Sequence, residues 1–233
     1  MEVLQLTKAT SPGDVAGNAF KEPIQLVRTK SGVEAIVWQP GHYTLQSASG
    51  PAKTLNVAPF TTSYAVKGSW QVNFPATSGA PANLTLEGLT SLTEHADPTV
   101  KYFSGTASYH KTFPVPASAL AAGKRLYIDL GETASLAEVT LNGKNLGTLW
   151  AAPFTLDITA AAKVGDNDLQ VRVTNTWHNR LVGEKRSPQS FQGAGVERVW
   201  TSSMPDYGPN EPLFPAGLIG PVTLRQAVNI NVH

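Results

Sequence analysis

Leu169-Gln170-Val171-Arg172-Val173-Thr174 alternates apolar and polar residues at every step. A period of two places Leu169, Val171 and Val173 on one face and Gln170, Arg172 and Thr174 on the other. That is the pattern of an antiparallel strand with one face buried. Working outward, Leu126, Ile128 and Leu130 alternate in the same way with Tyr127 and Asp129. Short runs of this kind recur at 24–28, 35–38, 43–46, 54–57, 70–74, 84–87, 106–113, 137–141, 154–157 and 222–226. Asn142-Gly143, between Val139-Thr140-Leu141 and Leu146-Gly147-Thr148-Leu149-Trp150, supplies the positive φ angles of a tight hairpin. Gly165-Asp166-Asn167 punctuates the chain before the Leu169 run. Helix-like pieces are short, at 117–121 and 158–163. Many strands, regular turns and little helix predict an all-β fold, a jelly-roll-like antiparallel β-sandwich.

Composition agrees. Charged residues make up 15% of the 233-residue chain, against roughly 25% in an average soluble domain. Thr, Ser, Asn, Gly and Pro fill the difference, a mixture that suits strands and turns. A formal net charge of +1 gives no field to gather phosphates or an anionic lipid surface, so neither nucleic acid nor a membrane is an expected partner. The chain has no cysteine, which excludes disulfides and thiolate metal sites. No run approaches the ~18 apolar residues of a membrane-spanning helix. The first residues, Met1-Glu2-Val3-Leu4-Gln5-Leu6, lack the basic-then-apolar order of a signal peptide.

A boundary is expected near 58–67. The strands before it are short and hairpin-like, with turns at Trp38-Gln39-Pro40-Gly41 and Ala48-Ser49-Gly50-Pro51. Residues 1–60 are too few for a secure core of their own, and are expected to be a short N-terminal β segment that either completes a neighbouring sandwich, as the tail of a preceding β-domain, or packs against the main one. Residues 68–228 are expected to form the sandwich. From Leu181 to Pro215 runs a stretch rich in Gly, Pro and Ser with little periodicity. A connection that long inside a compact domain is often functional.

Several strings, in order, carry a resemblance. They are Gly68-Ser69-Trp70-Gln71-Val72-Asn73-Phe74, the segment from Lys101 to Tyr109, Leu130-Gly131-Glu132, and the segment from Ala137 to Gly143. Then come the segment from Gly147 through Trp150 and Phe154 to Asp157, Asn175-Thr176-Trp177-His178-Asn179-Arg180, and Ala216-Gly217-Leu218-Ile219-Gly220-Pro221-Val222. Together, over about 60–228, they resemble the C-terminal galactose-binding-like sandwich of α-L-rhamnosidases of glycoside hydrolase family 106. They also resemble the related sugar-binding jelly roll of family 2 enzymes. The resemblance implies an accessory, non-catalytic domain of a secreted or periplasmic enzyme that acts on plant-type oligosaccharide or polysaccharide. In that family the catalytic acids sit on an upstream (β/α)₈ barrel, the implied partner, and no barrel exists in this chain.

Asn175 to Arg180 ends one alternating strand and opens the long stretch, so its polar groups should converge at one rim. Trp177 offers a flat ring for sugar C–H patches, while His178, Asn179 and Arg180 offer groups for hydroxyls. These four are the candidate carbohydrate-binding residues. A second reading makes Trp177 core and Arg180 an anchor for the long stretch, which needs internal anchors, Trp200 and Phe214 among them. Trp150 is expected in the core, capping one end with Pro153 and Phe154.

No catalytic residue is expected. Glu94-His95-Ala96-Asp97 is a polar cluster without a third ligand, better read as a solvated loop. Glu132 could contribute to a structural calcium site, and no other metal or cofactor is expected. Two rivals remain: a free-standing carbohydrate-binding module, and a small hydrolase using Glu184, Glu197 or Asp206. A hydrolase needs two carboxyls about 5 Å apart for retention or roughly 6.5–9.5 Å for inversion.

Overall fold

The computed structural model describes residues 4–8, 23–30, 32–47, 51–191 and 207–232. The chain opens with β1 (Leu4–Lys8), β2 (Ile24–Thr29), β3 (Gly32–Val37), β4 (Gly41–Ser47) and β5 (Lys53–Val57). It continues through β6 (Ser63–Ala65), β7 (Trp70–Asn73), β8 (Asn83–Leu86), β9 (Gly105–Val115), β10 (Lys124–Asp129) and β11 (Glu132–Thr133). The rest are β12 (Leu136–Leu141), β13 (Lys144–Leu149), β14 (Thr155–Asp157), β15 (Gly165–Asn175), β16 (Leu218–Gly220) and β17 (Thr223–Asn231). Among the described residues two α-helices accompany them, α1 (Pro98–Lys101) and α2 (His178–Arg186).

A front sheet of order β13-β12-β15-β9-β7-β8 faces a back sheet of order β14-β10-β17-β3-β2, in which β6 also pairs with β17. The named pairings are antiparallel. The alternation read from the sequence fixes which residues lie between the sheets. Leu169, Val171 and Val173 from β15 and Leu126 and Ile128 from β10 are fully buried in one cluster, with Trp70, Tyr109 and Leu141. Burying each aliphatic side chain in that layer stabilises the fold by roughly 1.5–3 kcal/mol. The fold is therefore an all-β, galactose-binding-like sandwich.

The end of the sandwich that holds the β12–β13 turn is closed by asparagines. Asn142 and Gly143 take φ of 51° and 76°, the left-handed pair a two-residue hairpin requires. Asn142 then does more than turn. Its Nδ2 donates to the Ala161 carbonyl and to Asn167 Oδ1, each at 2.8 Å, while its Oδ1 accepts from the Asp168 amide. Asn167 is wholly buried and also holds Lys163 and Gly165. The residues from Ile158 to Lys163, expected to be helix-like, form turns instead, closed by bonds from Ala161 and Ala162 to the Ile158 carbonyl. That segment is short, and Asn167 accepts its last amide.

β17 is the long member of the back sheet. Its first half pairs with β10 and its second half, Val228 to Asn231, pairs with β3. The early strands thus extend the back sheet. A smaller sheet, β1-β4-β5, supplies Tyr43 and Val57 to a second cluster with Ile24, Ala35 and Val37, against which Val228 and Ile230 pack.

Candidate functional site

Strand β15 ends at Asn175, and its last residues position the rim opposite the hairpin turn. Asn175 Oδ1 accepts the Gly217 amide at 2.7 Å and its Nδ2 donates to the Gly105 carbonyl at 3.4 Å. Gly217, at φ 82°, lies so close beneath Tyr109 that a Cβ there would overlap the phenol oxygen. The returning chain is thereby pressed onto the end of the core.

From here the first described residues of the long stretch are helical rather than irregular. They belong to α2, nine residues whose inward face is His178, Asn179, Arg180, Val182 and Gly183. His178, Asn179 and Gly183 are weak helix formers, so tertiary contacts decide. Gly183 abuts the Tyr102 ring, leaving no room for a Cβ. Lys185 and Arg186 occupy the last turn, where cations favour the helix dipole. The spacing of Arg180 and Glu184, one turn apart, with that basic end, was the sequence signal for this helix.

The four candidate residues divide. His178 is buried, its Nε2 2.8 Å from the Pro212 carbonyl oxygen, and its ring stacks on Phe214 with centroids 4.0 Å apart. Asn179 brackets Phe214, donating to its carbonyl at 2.7 Å and accepting its amide at 2.9 Å. Arg180 is 5% exposed; its Nε donates to Glu184 Oε1 at 3.0 Å, and its guanidinium lies 3.9 Å from the Phe191 ring centre. Arg186 extends the same clasp, with Nε on the Pro209 carbonyl and Nη2 on that of Glu211. Trp177, by contrast, is half exposed at 51%.

Trp150 differs from its expected place in the core: it is 77% exposed. It sits just past β13, on the crossover from front sheet to back sheet, so no opposing layer covers it. Phe154, four residues on, packs against the core in its stead. Leu136 and Phe214 are also exposed. Leu136 lies opposite Thr174, and Ala137 opposite Leu149, so Leu136, Trp150 and Trp177 all leave the same end of the front sheet. The rim therefore presents exposed apolar rings on a scaffold whose polar side chains bond inward. Such rings suit the C–H faces of a sugar.

The acidic candidates are placed as follows. Glu184 is tied to Arg180, and Glu197 and Asp206, like the anchor candidate Trp200, lie outside the described residues. Asp97 caps α1, accepting the Thr99 amide at 2.8 Å, and His95 Nδ1 accepts the Asp97 amide. Glu132 is exposed on β11. Among the described residues no group of three or more His, Cys, Asp and Glu is arranged to hold a metal ion, and no helix is long and apolar enough to cross a membrane.

Known proteins are similar to this chain. Residues 78–206 match the family model described as glycosyl hydrolase 2 galactose-binding domain-like. A protein of Formosa agariphila, named as a candidate beta-glucuronidase, is 34% identical over 232 residues, covering 88% of this chain and 20% of that protein. The structure of a rhamnosidase from Novosphingobium sp. PP1Y superposes with a TM-score of 0.62 at 30% identity, covering 96% of this chain and 25% of that one. The chain thus spans a fifth to a quarter of the length of these relatives.

Proposed function

We propose a function from the premise that this chain belongs to the glycosyl hydrolase 2 galactose-binding domain-like family. In this reading it is a non-catalytic accessory sandwich of a larger α-L-rhamnosidase-like enzyme of family 106, set toward that enzyme's C-terminal end. The observation that carries the proposal is the superposition of 96% of this chain on one quarter of a rhamnosidase, which supports a role as one part of a larger catalyst. The enzyme's barrel is the partner, plant-type oligosaccharide or polysaccharide the substrate, and the compartment periplasmic or extracellular. Residues 1–60 are then the tail of a preceding β-domain that lends β3 and β2 to the back sheet beside β17.

Of the tentative binding residues, Trp177 supplies the ring that meets sugar, with Trp150 as a neighbouring ring at the same end. His178, Asn179 and Arg180 hold that rim in shape from within. The commitment of Glu184 to Arg180 argues against its use as a catalytic acid. A shallow rim of this kind should bind sugar weakly, with roughly millimolar to high-micromolar dissociation constants.

Two assays test the reading. The purified chain should not hydrolyse aryl α-L-rhamnosides or other aryl glycosides above background. Titration with plant polysaccharides should give weak or no binding. Turnover that disappears on mutating Glu184, Glu197 or Asp206 would replace the proposal with an independent enzyme. Tight binding without turnover would replace it with a free-standing binding module.

A further inference from the structure

The outer face of the back sheet carries a concave region enclosing about 440 Å³, whose lining includes none of the residues Trp177 to Arg180. That size lies within the roughly 300–1,000 Å³ of small-molecule sites. Its walls come from separate parts of the chain: Trp38 from the early segment, Ser63 from the boundary region, and Asp129, Phe154 and Arg225 from the sandwich. Strand pairing explains the convergence. β17 sets Arg225 opposite both Ser63 and Tyr127, and Thr223 opposite Asp129. Trp38 then lies between two partners, the Tyr127 ring with centroids 4.6 Å apart and the Arg225 guanidinium 4.7 Å from the ring centre. Half-buried Arg225 is thus oriented before any ligand arrives. Burial lowers its basicity, and Asp129 acts in the opposite direction.

We propose that this pocket binds one neutral sugar residue. The lining holds one cation and one carboxylate, so its formal charges cancel, and an anionic ligand would meet Asp129. The hydroxyls of Thr62, Ser63 and Thr223 and the amide of Gln39 can each exchange hydrogen bonds with ring hydroxyls. Pro153, Phe154 and Pro221 supply apolar wall for the C–H side of a pyranose. A wholly apolar ligand would leave Asp129 and Arg225 desolvated without compensation. The choice of sugar as ligand class rests on the accessory reading above, whereas the pocket stands on its own geometry.

The test follows the indole N–H signals of the five tryptophans by NMR in the full chain labelled with nitrogen-15, each assigned by substitution. The probes are L-rhamnose, D-galactose, D-glucose and D-glucuronate. At least one neutral sugar should shift the Trp38 signal saturably at millimolar concentration. It should do so equally in Trp177→Ala, and glucuronate should bind at least about tenfold more weakly. Ser63→Tyr, at an exposed position, should fill the mouth and abolish the shift while the Trp70 signal stays in place as a check on folding. Asp129→Asn keeps an oxygen for the Gly131 amide that Asp129 Oδ1 now accepts at 3.0 Å. It leaves the pocket cationic and should narrow or reverse the preference against glucuronate. A Trp38 signal that stays still through about 50 mM of every neutral sugar, well beyond the millimolar range, would overturn the proposal. So would a shift indifferent to Ser63→Tyr, or a preference unmoved by Asp129→Asn. Turnover of aryl glycosides would instead refute the accessory role and leave this pocket standing.

Discussion

The two ends of the sandwich are both held by buried asparagines, and they differ in what those asparagines join. At the hairpin end Asn142 and Asn167 tie together segments 19 to 26 residues apart, and Asn167 is wholly buried. At the rim, Asn175 and Asn179 reach across 42 and 35 residues to Gly217 and Phe214. Closing longer loops costs more entropy, though only about 0.6 kcal/mol per doubling of length. The larger contrast is at the surface. The rim leaves Trp150, Trp177 and Phe214 more than half exposed, rings that folding alone would favour burying. A chain that anchors its polar groups inward while leaving aromatic rings outside has a surface suited to an external partner.

The comparison breaks altogether if the shared core between the ends is not the one described. Val171→Asp would bury an unpaired charge beneath both sheets and should cost several kcal/mol, enough to prevent folding of a typical domain. A soluble Val171→Asp protein with a cooperative melt would refute the strand assignment.

Next in size is a direct contest between the ends. Asn167→Ala removes the wholly buried partner of the Lys163 amide, the Lys163 and Gly165 carbonyls and the Asn142 side-chain amide, and should cost about 2–4 kcal/mol by urea denaturation. Asn179→Ala loses two backbone partners at a partly solvated rim and should cost about 1–2 kcal/mol. Equal losses would mean that the rim is as closed as the hairpin end.

Proteolysis sharpens the rim side. Arg180→Ala removes the Glu184 pair and the packing on Phe191, and should speed cleavage between 187 and 217 by about tenfold while fragments of the sandwich stay protected. This follows because local opening there costs about 1.4 kcal/mol less for each tenfold in rate. Unchanged cleavage would free Arg180 for a ligand-binding role.

The smallest expected effect is a pH dependence in the core. Burial pushes the Tyr109 phenol above its ordinary value of 10.0. Above that value the unfolded chain releases this proton while the folded chain retains it, so the folded state binds more protons and stability falls as pH rises. The contribution is complete below about pH 10 and is lost as pH climbs toward the folded-state value. Urea midpoints measured from about pH 8 to 11 should decline more steeply in the native chain than in Tyr109→Phe. Parallel declines would mean that Tyr109 reaches solvent.

Much of this molecule was legible in the amino-acid sequence. The alternation at Leu169, Val171 and Val173 and the turn at Asn142-Gly143 determined an all-β sandwich, because strand period and turn conformation are local properties, and the ordered strings added the resemblance to galactose-binding-like domains. Tertiary structure decided the rest. Whether Trp150 is covered depends on an opposing layer that the sequence around it does not encode. The helix His178–Arg186 forms despite weak local preference because Arg180 meets Phe191 and Gly183 fits against Tyr102. The outer pocket exists only because β17 is long enough to pair with β10 at one end and β3 at the other, bringing Trp38 to Arg225. Contacts between residues far apart in the chain, such as His178 with Pro212, Asn179 with Phe214 and Trp38 with Arg225, leave no period in a sequence, and they determined which of these polar and aromatic groups face inward.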